Sequence, residues 1–298
     1  MINETTSNGQ ECINRADKGA HTAHQEGGNK HHIFNPAMQE LAVQKETNVW
    51  ADKIKLALKE NKFRLVFQPI VSLHGEPGAH YEVLLRMVDD KNESVPPTEF
   101  IPAAEQSGLM NFVDRWVIAN AFMHLSRRQR EGKKTRVFIK LSAATLGDPD
   151  FLPWISERIK TTKVDTDCLV FQVSEDAALN FLKQTKIIAA GLGQLHCRFA
   201  LENFGIEQNT FNSLKQFKVN YIKIHMSLIH GLAQNVENQE KLKSIAEAAN
   251  GQNIQTIAAF VEDANSLAVL WQCAVDFIQG YFLQHPQAEM NYDFNETF

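Results

Sequence analysis

The chain has 298 residues, 44% of them hydrophobic and 22% charged, with a formal net charge of −5. That length can bury a large core and suits one big domain with an appendage, while the acidic balance argues against broad nucleic-acid binding and so against DNA as a partner. No apolar run approaches the ~20 residues that a bilayer-spanning helix requires, and the polar N-terminus lacks a signal-peptide core; no membrane insertion and a cytoplasmic location are expected.

In chain order, residues 1–45 form a polar N-terminal segment carrying His21, His24, His31 and His32. No cysteine or carboxylate completes a metal-ligand spacing with them, so they read as a solvated tail or an incomplete piece of a neighbouring domain. Residues 46–61 place Val49, Trp50, Ile54, Leu56, Ala57 and Leu58 at helical spacing, an amphipathic linker helix leading into a domain at 62–298. Cys12, Cys168, Cys197 and Cys273 are scattered without a CxxC pair, and the last three sit in or beside apolar segments, as reduced core thiols do.

Strand patterns are predicted at 64–70, 81–87, 136–141, 168–173, 198–203, 221–224, 256–261 and 277–281, and helical ones at 97–106, 112–130, 151–160, 177–191, 209–217, 236–251 and 263–273. Asp150, Asn209 and Asp263 are candidate N-caps, and Gly191 and Gly251 candidate helix stops. This alternation predicts an α/β fold, a (β/α)8 TIM-like barrel with an N-terminal helical or extended appendage. Chemistry in that fold sits at the C-terminal strand ends. Those ends carry Gln68, Glu82 with Arg86, Lys140-Leu141-Ser142, Glu175, Glu202-Asn203, Lys223-Ile224-His225, Phe260-Val261-Glu262 and Gln279-Gly280.

That order of motifs, from about residue 61 to 287, resembles the EAL domain family of cyclic-di-GMP phosphodiesterases and their non-catalytic relatives. Val95-Pro96-Pro97-Thr98-Glu99-Phe100-Ile101-Pro102, Asp114-Arg115-Trp116-Val117 and Ile278-Gln279-Gly280-Tyr281 add to it. Residues 11–34, with Arg15-Ala16-Asp17-Lys18 and Gly27-Gly28-Asn29-Lys30, resemble the closing helix and last strand of a GGDEF domain. The second resemblance implies a segment of a larger protein or a reduced gene product.

The resemblance implies that an active member holds two divalent cations on clustered oxygen ligands. Glu82, Glu175 and Lys223 are retained. Lys140 replaces an asparagine ligand, Glu202 and Asn203 replace paired aspartates, Ala259 replaces an acid, and His225 replaces the aspartate after the sixth-strand lysine. The expectation is therefore no phosphodiesterase activity and no metal requirement. Phe260, where the family has glycine, followed by Val261-Glu262, resembles the FimX-type subgroup, whose members are cyclic-di-GMP receptors in type IV pilus regulation with a PilZ-domain partner.

The expected ligand contacts are Gln68, Glu82, Leu84, Arg86, Asp114, Lys140, Phe260, Glu262, Gln279 and Gly280, with no catalytic residue. Structural readings stand beside several of them. Leu84 suits core packing, Phe260 the filling of the barrel mouth, and Asp114 a pair with Arg115. Lys140 suits an ion pair with Glu82, Glu175 or Glu202, and Lys223 one with Glu175. A homodimer is open, and so are two rival functions: a weakly active metal-dependent phosphodiesterase, and a scaffold that binds no nucleotide.

Overall fold

A computed structural model describes residues 9–25, 27–29, 36–89, 91, 93–207 and 210–295. The chain divides into two compact units, residues 1–53 and 54–298. The first contains helix α1 (Gly9–Gln25) and most of α2 (Pro36–Glu60). The predicted linker helix thus begins ten residues earlier than expected, because residues 37–45 are nearly all strong helix formers. Of the GGDEF-like stretch at 11–34, residues 11–25 lie in helix α1; residues 30–34, with His31 and His32, lie outside the described residues, as does Asn209.

The second unit is a closed barrel. Strands β1 (Phe63–Ser72) and β2 (Ala79–Val88) form a hairpin, and β3 (Ser94–Val95) adds two residues to the edge of β2. Helices α3 (Pro97–Gln106) and α4 (Met110–Arg130) then lead to β4 (Thr135–Lys140). Next come the single turn α5 (Ala143–Leu146), α6 (Phe151–Thr162), β5 (Leu169–Ser174), α7 (Glu175–Asn180) and α8 (Leu182–Gln194). The last third runs β6 (Arg198–Phe204), α9 (Thr210–Gln216), β7 (Tyr221–Ile224), α10 (Val236–Asn250), β8 (Gln255–Ala258), α11 (Ala264–Gln272) and β9 (Phe277–Ile278). Strand order is β1-β9-β8-β7-β6-β5-β4-β2, and the β1–β2 pairing closes the ring.

All eight predicted strands form, but β1 runs antiparallel to both of its neighbours. A two-strand hairpin can only be antiparallel, and residues 73–78 are too few for a helical crossover. Gln68 is consequently a mid-strand residue in register with Glu82, rather than a strand end. β5 is buried along nearly its whole length, as strands covered on both faces are. One buried residue from each of seven strands (Ile70, Phe138, Val170, Ala200, Tyr221, Ile257, Phe277) builds the inner core layer.

Three helix-end expectations are corrected. Asp150 precedes α6 but makes no side-chain cap; its own N–H donates to Asp148 Oδ1 at 2.9 Å. The helix predicted at 177–191 starts earlier, because Ser174 caps it, and breaks at Phe181. Gly191 does not end α8. It lies where a Cβ would meet Leu152 Cδ1 at 2.6 Å, so its role is close helix packing. Asp263 does cap α11, accepting from Ser266 N at 3.0 Å, and Gly251 closes α10. Cys168, Cys197 and Cys273 are free and buried. Among the described residues, no helix is long and apolar enough to cross a membrane.

Candidate functional site

Glu82, within β2 and opposite Gln68 of β1, is 8% exposed and faces side chains from β5, β7 and the end of β9. Its Oε1 accepts from Lys223 Nζ and Gln172 Nε2, both at 2.6 Å, and its Oε2 accepts from Gln279 Nε2 at 2.5 Å. The same Gln279 amide donates to Gln68 Oε1 at 2.9 Å, which ties β1, β2 and β9 together at one level. Burial works to raise the Glu82 carboxyl's pKa, but the Lys223 charge and the three side-chain donors overcome it and hold the group below its ordinary value. Glu82 is thus an ionised, fully coordinated carboxylate whose counter-ion is an ammonium of the protein itself.

Lys223 therefore pairs with Glu82 and not, as the sequence suggested, with Glu175. The carboxylate of Glu175 (1% exposed) turns to the segment after β6, where it accepts from Thr210 Oγ1 at 2.6 Å, Ser213 Oγ at 2.7 Å and Gly205 N at 3.1 Å. Three donors satisfy it away from the mouth, so it clamps a loop. The polar group that faces Glu82 from β5 is Gln172, fully buried, its Oε1 lacking a partner among the described residues. Sequence reasoning missed it, although a lone amide inside an apolar strand was a signal.

Lys140 Nζ lies 2.5 Å from Glu202 Oε1; the lysine side chain is 59% exposed and the carboxylate only 7%. Partial desolvation works to lower the lysine's pKa, and Glu202, with Glu82 and Glu105 behind it, raises it above its ordinary value. Asp114 (5% exposed) accepts at Oδ2 from Ser142 N, Ser142 Oγ and Thr145 Oγ1, at 2.8, 2.7 and 2.7 Å. It pins the β4–α5 turn and does not pair with Arg115, which bonds Asp148 at 2.9 Å. Burial raises the pKa of Asp114 against these donors.

Asn203 and Phe260 both have left-handed backbone, at φ 55° and 61°. Asparagine tolerates that region, whereas an aromatic residue is strained there; the Phe260 ring is 54% exposed. Gly280 is required at the neighbouring end, because a Cβ there would overlap the backbone of Val261. Close passage of these two segments also explains why β8 and β9 stop short of their predicted ends. Their backbones continue in irregular pairing, Gln279 N to Ala258 O at 2.8 Å and Val261 N to Gln279 O at 3.0 Å.

Two cavities meet here. A central one of about 480 Å³ is lined by Gln68, Phe260, Glu262, Gln279, Gly280 and Tyr281, among others. A more apolar one of about 530 Å³ lies between β2, α3 and α4, lined by Ile101, Met110, Val113 and Asp114. Glu82, Leu84, Arg86 and Lys140 belong to both walls. All ten residues singled out in the sequence therefore gather at one compound cleft. Arg86 Nη1 donates to the Leu85 carbonyl at 2.7 Å, and among the described residues it has no carboxylate partner. His225 lines neither cavity; its Nδ1 contacts Ser227 Oγ at 2.9 Å. Among the described residues, no three His, Cys, Asp or Glu side chains converge so as to hold a metal ion.

Comparison with known proteins agrees with this architecture. The FimX EAL domain from Pseudomonas aeruginosa, bound to c-di-GMP, is 43% identical with a TM-score of 0.79, covering 83% of this chain and 99% of that one. The Xanthomonas citri FimX EAL domain in complex with c-diGMP is 29% identical with a TM-score of 0.80, covering 85% and 99%. Among curated proteins, the cyclic di-GMP phosphodiesterase PdeB of Shewanella oneidensis is 30% identical over 286 residues, 96% of this chain but 33% of that protein. The chain spans about a third of the length of such relatives. The family model described as EAL domain matches residues 51–286, the whole barrel with its site, and the chain belongs to the EAL domain family.

Proposed function

We propose that this chain is a cyclic-di-GMP receptor that holds the intact dinucleotide at the barrel mouth and does not hydrolyse it. The observation that carries the reading is the occupation of the carboxylates. Glu82 is saturated by Lys223, Gln172 and Gln279, and Glu202 is paired with Lys140. An ammonium offers no lone pair and repels a dication, and Ala259 supplies only a buried methyl group. These residues do not fit a two-metal centre, so no hydrolytic step is assigned to them.

What they do fit is a dianionic ligand with two flat bases. The apolar cavity suits one purine, with Leu84, Ile101 and Val113 against its faces and Arg86 at its edge. Lys140 and Arg86 supply cations for phosphate oxygens. The exposed Phe260 ring offers a stacking face for the second purine, and Glu262 beside it can accept the two donors on a guanine's Watson–Crick edge. The FimX EAL domains bound to c-di-GMP support this reading. Occupancy would act by favouring one state of a partner surface, here a PilZ-domain protein in type IV pilus regulation, in a cytoplasmic setting.

Calorimetric titration with cyclic-di-GMP in the presence of EDTA tests binding and metal independence together. Saturable binding is expected. No binding would leave the scaffold reading, and release of linear dinucleotide in Mg²⁺ or Mn²⁺ would reinstate the phosphodiesterase. The similarity to PdeB is what makes that second assay necessary.

A further inference from the structure

The central cavity is electrically balanced. Arg86, Lys140 and Lys223 line it against Glu82, Glu202 and Glu262, three cations facing three carboxylates. A ligand with two phosphates brings two negative charges into that cleft, and a neutral lining offers no net attraction for them. Arg86, which among the described residues no carboxylate engages, can meet one phosphate, but a second cation has to come from Lys140 or Lys223, and each of these is already paired with a carboxylate. Glu82 is held by three donors, one of them the buried Lys223, and so cannot give that cation up. Glu262 is exposed at the rim, where water screens it.

Glu202 is different from both. It is 6% exposed, and among the described residues Lys140 is its one polar partner. That lysine lies on the wall shared by the two cavities, its side chain 59% exposed. The ammonium that a phosphate oxygen can reach is thus already engaged by a carboxylate of the same chain. Resting on the receptor reading above, we propose that Glu202 is an intramolecular competitor for the ligand's phosphate: it occupies Lys140 in the empty site, must release it on binding, and so holds the affinity below what the remaining contacts would give.

The geometry gives this reading a sign. Were Glu202 a positioning residue that orients Lys140 toward phosphate, neutralising it would weaken binding. As a competitor, neutralising it strengthens binding, and the gain runs through Lys140. The experiment is a titration of the full chain with cyclic-di-GMP in EDTA, for wild type, Glu202→Gln, Lys140→Met and the double variant, with thermal melts to confirm folding.

Glu202→Gln is expected to bind at least about threefold more tightly than wild type, Lys140→Met more weakly, and the gain should largely vanish in the Lys140→Met background, as coupled neighbours require. Equal or weaker binding by Glu202→Gln overturns the proposal, as does a gain of the same size with and without Lys140. If wild type and Glu202→Gln are both silent, the receptor reading itself has failed. A crystal structure of the wild-type complex supplies a test that needs no variant: Lys140 should have left Glu202 for a phosphate oxygen, and an unchanged Lys140–Glu202 pair refutes the idea.

Discussion

The two ends of the barrel solve the burial of charge in opposite ways. At the base, Arg136 reaches inward and donates to Tyr221 Oη at 2.7 Å, with its Nη1 2.9 Å from His80 Nε2. Tyr221 packs edge-on against Phe138, and His80 edge-on against Phe277, within the core layer. The close partners of this guanidinium are neutral, and the Glu76 carboxylate stands farther off, its Oε1 3.9 Å from Arg136 Nη1. At the mouth the close partners are charged, Lys223 on Glu82 and Lys140 on Glu202, and among the described residues the amide oxygens of Gln172 and Gln279 are buried without partners. The base is built to stay closed. The mouth keeps its carboxylates in ion pairs and leaves two amide oxygens unsatisfied, which are features a ligand can relieve.

The sharpest way to break this contrast is to remove the hub of the mouth. Glu82→Ala leaves Lys223 as a buried ammonium and strands the donors of Gln172 and Gln279. It is expected to destabilise the fold by about 3–5 kcal/mol, the usual cost of breaking a buried pair from one side. Urea unfolding followed by circular dichroism measures it, and a loss below about 1 kcal/mol would mean that the mouth carries no structural charge network.

The base answers to pH instead. Burial first, then Arg136 and Arg198, push the pKa of His80 down to about 3 from its ordinary 6.5. The unfolded chain takes up a proton as pH falls through 6.5 while the folded chain does not, so stability is full above that pH and declines from there toward 3. At pH 5 the expected loss from this group is about 2 kcal/mol, at 1.36 kcal/mol per pKa unit. Comparing urea midpoints at pH 7 and pH 5 for wild type and His80→Asn isolates it. An equal pH dependence in both proteins would place the acid sensitivity elsewhere.

Little of this base network shows in the sequence, whereas much of the mouth does. Strand positions follow from runs of apolar residues, a matter of local pattern, and the ten expected site residues follow from the order of motifs that carries the family resemblance, Asp114 on α4 among them. Which cation meets which carboxylate is set by register across strands that are distant in sequence, and local pattern does not fix it. Lys223 lies on β7 and Glu175 opens α7 just past the end of β5, two strands away in the barrel; the inward turn of Glu82 and the three donors around Glu175 decide against pairing them. Gln172 went unnoticed because its apolar neighbours made the strand read as core. The antiparallel β1 was hidden for a different reason: strand patterns carry no direction, and only the short connection to β2 reveals it.

Binding variants probe the mouth directly. Arg86→Ala removes a cation of the cleft that, among the described residues, no carboxylate engages, and is expected to weaken cyclic-di-GMP binding by ~1–3 kcal/mol, the range for hydrogen bonds to charged groups. Since among the described residues the Arg86 side chain bonds only the neighbouring Leu85 carbonyl, folding should be nearly unaffected. An unchanged affinity by calorimetry would remove phosphate recognition from this wall.

The smallest effect separates the strain at the mouth from its use. Phe260 has φ 61°, a conformation that costs a residue with a side chain of order 1 kcal/mol and glycine almost nothing. Phe260→Gly returns the position to the residue type usual in the family, and since the ring is largely exposed, little packing is lost. The variant is therefore expected to melt higher, by roughly 1 kcal/mol of added stability, and to bind the dinucleotide more weakly through lost stacking. Opposite signs in the two measurements would identify Phe260 as a residue retained for the ligand at the expense of the fold. If stability falls along with affinity, the ring is packing the mouth after all, and the strain has a structural purpose.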